Sequence, residues 1–107
     1  MSAYSEEIRR SFGKSDRKRD AGLTTPEEIE RTDDLSYGDH PTWNLLDVYR
    51  PKAEWGSRLP VIVIVHGGAW VYGDKGVYQF YGMNLARRGF AVVNCSYRPA
   101  TECRLQF

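Results

Sequence analysis

Apolar residues are unevenly spread along this chain. The first 35 residues are rich in Glu, Arg, Lys and Asp, and most aromatic residues lie after Tyr37. Within the polar segment, Tyr4, Ile8 and Phe12 recur at helical spacing and predict a short amphipathic helix. The run Lys14 to Asp20 mixes both charge signs and reads as a solvated linker rather than a nucleic-acid patch. Thr25-Pro26-Glu27-Glu28 has the form of a capping box with proline at the first helical position, predicting a second short helix.

Beyond Leu35 the pattern turns strand-like. Trp43, Leu45, Asp47 and Tyr49 alternate with Leu46 and Val48, and Arg50-Pro51 ends that strand. Leu35 to Gly38 is its expected antiparallel partner, with Gly38-Asp39-His40-Pro41 supplying the turn. Val61-Ile62-Val63-Ile64-Val65 is β-branched throughout, which predicts a strand buried on both faces of a covered, parallel sheet. A helix is expected from Val77 to Arg88, with Val77, Phe80, Tyr81 and Leu85 as its apolar stripe and Gly89 as its left-handed end. Phe90 to Cys95 is a second buried strand. Strand, helix and strand form one parallel βαβ crossover unit of an α/β fold.

Composition narrows the class. Hydrophobic residues make up 41% of the 107-residue chain and charged residues 27%, so part of it can build a core. A formal net charge of +1 gives no global steering toward nucleic acid or acidic lipid. Cys95 reads as a small buried hydrophobe, and no metal-ligand cluster surrounds it or Cys103. There is neither an apolar leader nor a run near the roughly 20 apolar residues of a membrane span, so a cytoplasmic protein is expected.

The informative stretch follows the first buried strand. In His66-Gly67-Gly68-Ala69-Trp70, paired glycines let backbone N–H groups approach a ligand closely. A loop at the carboxyl end of a parallel strand faces the site crevice. Together with the preceding valine and isoleucine run, this segment resembles the His-Gly-Gly-Gly-type loop of α/β-hydrolases of the esterase and lipase group. Leu46 to Pro51 is similar to that family's second strand, and Val92 to Arg98 to its fourth. The resemblance implies the N-terminal portion of an α/β-hydrolase sheet, incomplete, with antiparallel first strands followed by the βαβ unit. It divides the chain into a polar segment, 1–34, and a truncated hydrolase domain, 35–107. It implies an oxyanion hole built by Gly67, Gly68 and Ala69. Gly68 and Ala69 would donate, Gly67 would shape the turn, and Trp70 would line the acyl or alcohol pocket. His66 would be structural rather than a catalytic base. The family's third glycine is Ala69 here, which keeps the N–H.

The family's nucleophile sits in Gly-x-Ser-x-Gly, followed by an acid and a histidine. No serine of this sequence has glycine two before and two after it, and no histidine follows His66. The expectation is therefore the N-terminal piece of a carboxylic-ester hydrolase, carrying the oxyanion loop but no triad and inactive alone. It would need no cofactor, and its complete relative would act on a small-molecule ester. The alternative is a non-catalytic subunit that pairs with another chain, or with itself, through an exposed sheet edge. In the expected strand order the fourth strand lies between the second and third, so Val61 to Val65 would form that edge. Nucleotide binding is a remote alternative. Gly68 to Lys75 departs from a phosphate loop because Asp74 stands where lysine belongs and Lys75 where serine or threonine belongs. Asp74 and Lys75 read as a solvated pair.

Overall fold

The computed structural model describes residues 3–54, 56–68 and 71–99. The elements are α1 (Ala3–Asp20), β1 (Ile29–Ser36), β2 (Leu45–Pro51), β3 (Val61–Val65), α2 (Gln79–Ala86) and β4 (Ala91–Cys95). The strands form one mixed sheet in the order β1-β2-β4-β3. β1 and β2 are antiparallel, as are β2 and β4, whereas β3 and β4 run parallel in the register Val61 opposite Ala91 to Val65 opposite Cys95. The expected α/β architecture, with antiparallel first strands and a parallel βαβ unit, is thus present.

The N-terminal third departs from the sequence reading. α1 spans 18 residues and takes in the charged run expected to be linker. Charge spacing accounts for this. Glu7 pairs with Arg10 at 2.8 Å and Asp16 with Arg19 at 3.3 Å, each one helical turn apart. Arg17, Lys18 and Arg19 occupy the last turn, where the helix dipole favours cations. The second short helix does not form. After a turn, the chain enters β1 at Ile29, which is 3% exposed and sits opposite Pro51. β1 then continues past residue 34 to Ser36. Apart from Leu35, which is 41% exposed, its other residues are polar because it is an edge strand, so its pattern lacks the apolar alternation that marks a half-buried strand. A bulge between Thr32 and Leu35 puts Asp34 at φ 60° and turns its amide toward Asp47, 3.0 Å away.

One face of the sheet carries the core. Tyr49, Ile64 and Val92 pack with Met83 and Ala86 of α2 and with Ile29. α2 lies so close to the sheet that a Cβ on Gly82 would stand 2.9 Å from the Tyr49 ring. The expected stripe on this helix holds in part: Phe80 and Leu85 pack against the core, while Val77 precedes α2 and Tyr81 points away. Gly82, Met83 and Ala86 are buried, whereas Tyr81 is 60% exposed. Val77, Phe80 and Tyr81 also line a groove of about 550 Å³ against the segment around Leu23. The α-helix itself begins later than expected, at Gln79, after a 3-10 turn at Lys75–Tyr78. Gly89 has φ +100°, the left-handed conformation expected of the helix end.

β3 is not buried on both faces. Ile62 and Ile64 face α2, while Val61, Val63 and Val65 are 60%, 60% and 65% exposed. Side chains alternate along a strand, and α2 covers only the isoleucine face. The edge of β3 opposite β4 pairs with no strand among the described residues.

Candidate functional site

The loop after β3 leaves the carboxyl end of that strand and is gripped from several sides. His66 is 2% exposed. Its ring stacks on Tyr97 with centroids 4.3 Å apart, and the Tyr97 hydroxyl donates to the His66 carbonyl. The His66 Nδ1 lies 2.8 Å from the Gly67 carbonyl oxygen. A carbonyl only accepts, so Nδ1 carries the proton and donates. The Gly67–Gly68 peptide is trans, so the Gly67 C=O and the Gly68 N–H point in opposite directions. Fixing the carbonyl therefore aims the Gly68 amide away from the His66 ring.

Gly68 has φ +155°, and a Cβ there would stand 1.8 Å from the Tyr72 carbonyl oxygen. No L-residue fits without reshaping the turn. The Gly68 carbonyl accepts from the Val71 and Tyr72 amides at 3.2 and 3.0 Å, which closes that turn. Gly73 lies beside the loop at φ +101°, where a Cβ would come within 2.9 Å of His66 Nδ1. Among the described residues, neither the Gly67 nor the Gly68 amide donates to an acceptor. Ala69 and Trp70 lie outside the described residues.

A polar network that the sequence reading missed supports the loop from behind. Asp47 is 2% exposed and accepts from the Asp34 amide at 3.0 Å and from the Tyr49 hydroxyl at 3.1 Å. Lys75 Nζ reaches Asp47 at 2.9 Å and Asp34 at 2.8 Å. The expectation of a solvated Asp74 and Lys75 pair is therefore corrected. Lys75 bridges two carboxylates, while Asp74 caps the 3-10 turn by accepting from the Gly76 amide at 2.8 Å. Burial alone would lower the Lys75 pKa, but hydrogen bonds to Asp34 and Asp47 outweigh it and the value is raised. Burial likewise pushes the Tyr49 phenol up to about 12. The Lys75 backbone is held at both ends: its amide donates to Ser96 Oγ at 2.9 Å and its carbonyl accepts from Asn94 Nδ2. The signal for this network was the Asp47-x-Tyr49 alternation on the face that also holds Asn94, but alternation alone does not separate buried from solvated carboxylates.

α1 packs across the same loop. The Arg9 guanidinium donates to the Val71 carbonyl at 2.9 Å, and Tyr72 donates to Asp16 at 2.6 Å. The Phe12 and Tyr72 rings meet edge to face at 5.6 Å. Arg19 donates to the Val77 carbonyl. Burial, followed by the hydrogen bond to Asp16, raises the Tyr72 pKa to about 12. Cys95 donates to the Ile64 carbonyl at 3.3 Å, and burial pushes its pKa up, so it is a packing thiol in the sheet.

Comparison with known proteins identifies the frame around this loop. The isoprenylcysteine alpha-carbonyl methylesterase ICME of Arabidopsis thaliana is 45% identical over 64 residues, 60% of this chain and 14% of that protein. Esterase LipC of Mycobacterium tuberculosis is 38% identical over 69 residues, 64% of this chain and 17% of that protein. Among solved structures, an inhibited esterase B from Lactobacillus rhamnosis superposes with a TM-score of 0.78 at 26% identity. That match covers 92% of this chain and 33% of the esterase B chain. The chain thus spans a small part of the curated relatives' length, and its sheet is part of an α/β-hydrolase fold. The BD-FAE family model matches residues 46–106, from β2 through the loop to beyond β4, and the chain belongs to that family of α/β-hydrolase esterases.

Proposed function

We propose that this chain supplies the oxyanion-holding part of a carboxylic-ester hydrolase. The observation that carries the reading is the Gly67-Gly68 turn at the carboxyl end of β3. The turn excludes any side chain at Gly68, and its amides have no acceptor among the described residues. Acyl transfer passes through a tetrahedral oxyanion, and preorganised backbone donors at that point are worth about 10²–10³ in kcat each. In this reading the Gly68 and Ala69 amides donate, Gly67 and His66 set the geometry, and Trp70 lines the acyl or alcohol pocket. The substrate is a small-molecule ester, and no cofactor takes part. The 107 residues contain no Gly-x-Ser-x-Gly and no histidine after His66, so the nucleophile and its base are not among them. The purified chain is therefore expected to show no saturable turnover of p-nitrophenyl acetate. In a complete enzyme carrying this loop, Gly68→Pro abolishes turnover, while Asp74→Ala leaves most of it because Asp74 only caps a turn. Comparable losses from the two changes would remove the oxyanion assignment.

A second reading, a non-catalytic subunit pairing through its sheet edge, is favoured by the exposed valines and open edge of β3. Saturable ester turnover by the isolated chain would count against both readings. Nucleotide binding finds no support in the loop: the Lys75 ammonium is already engaged by Asp34 and Asp47. No helix among the described residues is long and apolar enough to cross a membrane.

A further inference from the structure

We infer that α1 forms one wall of the ester pocket and admits only a short, uncharged substituent, with Phe12 and Tyr72 as the limiting side chains. The inference rests on the oxyanion reading of the turn at Gly67 and Gly68, in which Gly68 is a donor and Gly67 shapes the turn. Those glycines open on a cavity of about 260 Å³ whose other walls include Phe12, Asp16 and Arg19 of α1, with Tyr72 and Tyr78. The family model begins at residue 46 and leaves α1 out, while the esterase B superposition, over 92% of this chain, extends into it. The volume falls below the roughly 300–1,000 Å³ of pockets that enclose drug-sized ligands. Its two charged side chains cancel: Arg19 pairs with Asp16 at 3.3 Å and with Asp20 at 2.8 Å. Asp16 is further engaged by the Tyr72 hydroxyl. No unpaired charge is left to draw an ionic substituent, and the Phe12 and Tyr72 rings supply the apolar contact. Gly13 is buried beside Tyr72, and a Cβ there would stand 3.8 Å from that ring, an ordinary packing distance between α1 and the loop.

Alkylphosphonates test this on the full chain, because a tetrahedral anion resembles the intermediate that the amides would hold. Ethylphosphonate and hexylphosphonate are titrated while amide chemical shifts are followed by NMR. The expected result is that ethylphosphonate shifts Gly67, Gly68, Phe12 and Tyr72, and that hexylphosphonate binds more weakly. Phe12→Ala should reverse that order, with a gain of about fourfold for each further methylene the widened pocket buries. Phe12→Leu, a milder change, should move the preference in the same direction. Shifts at Gly67 and Gly68 with a chain-length preference untouched by either variant would overturn the α1 wall and leave the oxyanion reading standing. Shifts at neither glycine with any phosphonate would overturn both.

Discussion

Removing the Lys75 cation tests whether the buried network holds the loop. Lys75→Met keeps most of the side chain's length and leaves the Asp47 carboxylate facing it without an ammonium. At 2.9 Å the gross attraction is about 6 kcal/mol for an effective dielectric constant of about 20. Desolvation offsets much of that, and breaking a buried pair by deleting one partner costs about 3–5 kcal/mol. Two features place this case at the low end. Asp47 keeps the Asp34 amide and the Tyr49 hydroxyl, and Arg31 stands 3.9 Å away. Lys75 is also partly open, its side chain 19% exposed. A loss of about 3 kcal/mol is expected, a large share of the roughly 5–15 kcal/mol that keeps a domain folded. Asp47→Asn should cost about 2 kcal/mol, because Lys75 then retains Asp34 at the surface. Urea unfolding followed by circular dichroism measures each variant and the double variant. The double loss should fall short of the summed single losses by at least about 1 kcal/mol. Additivity within about 0.5 kcal/mol would mean that the pair is not coupled, and the support assigned to it would have to be withdrawn.

Three further outcomes follow from the same geometry. The Tyr49 phenol titrates near 12 in the folded chain against 10.0 unfolded. The folded state thus holds the proton longer, and up to about 3 kcal/mol of stability is lost as pH rises from about 10 to about 12. Lys75, also raised, acts in the same sense, and alkaline unfolding that is no steeper in the parent than in Tyr49→Phe would contradict this. Gly82→Ala should destabilise the chain despite a helix-propensity gain of about 1 kcal/mol, because the new Cβ meets the buried Tyr49 ring at 2.9 Å; a higher melting temperature would refute it. The chain should associate in solution through the open β3 edge, and Val63→Lys should shift it toward monomer, since a charge blunts an edge strand. A monodisperse parent monomer in sedimentation would overturn that expectation.

How much was legible depended on which residues carry each element. β3 is apolar along its length and β4 is apolar but for Asn94, and both were legible at close to their observed bounds. β1 was legible only at its end, where Leu35 and Ser36 pair antiparallel with β2 as expected, because an edge strand needs only one buried anchor, and Ile29 supplies it. α1 was read at half its length because Tyr4, Ile8 and Phe12 stop at residue 12, whereas Asp16 and Arg19 extend the helix through charge pairing. The exposed valines show the converse. A five-residue apolar run reports what a strand is compatible with, and only the arrangement of its neighbours decides which face is covered. At the site, the glycine loop was legible, because freedom from side chains is written in the residue type. Lys75 and Asp47 were not, because a buried ion pair and two solvated charges look alike until the fold brings residues 34, 47 and 75 together.

The glycines that make the loop recognisable also make it costly to hold. A Gly-Gly turn loses more conformational freedom on ordering than any other dipeptide, so it needs restraint from outside itself. Here the restraint comes mainly from the end of β4. Asn94 holds the Lys75 carbonyl, Ser96 its amide, and Tyr97 the ring and carbonyl of His66. β4 lies next to β3, so the polar run Asn94 to Tyr97 leaves the sheet directly beside the loop it restrains. His66 then passes the restraint on to the Gly67–Gly68 peptide through Nδ1. A chain that kept Gly67 and Gly68 but lost Ser96, Tyr97 and Lys75 would retain the motif while its amides wandered. The geometry of this site is therefore a property of the β3 and β4 pair, with the glycines as its visible end.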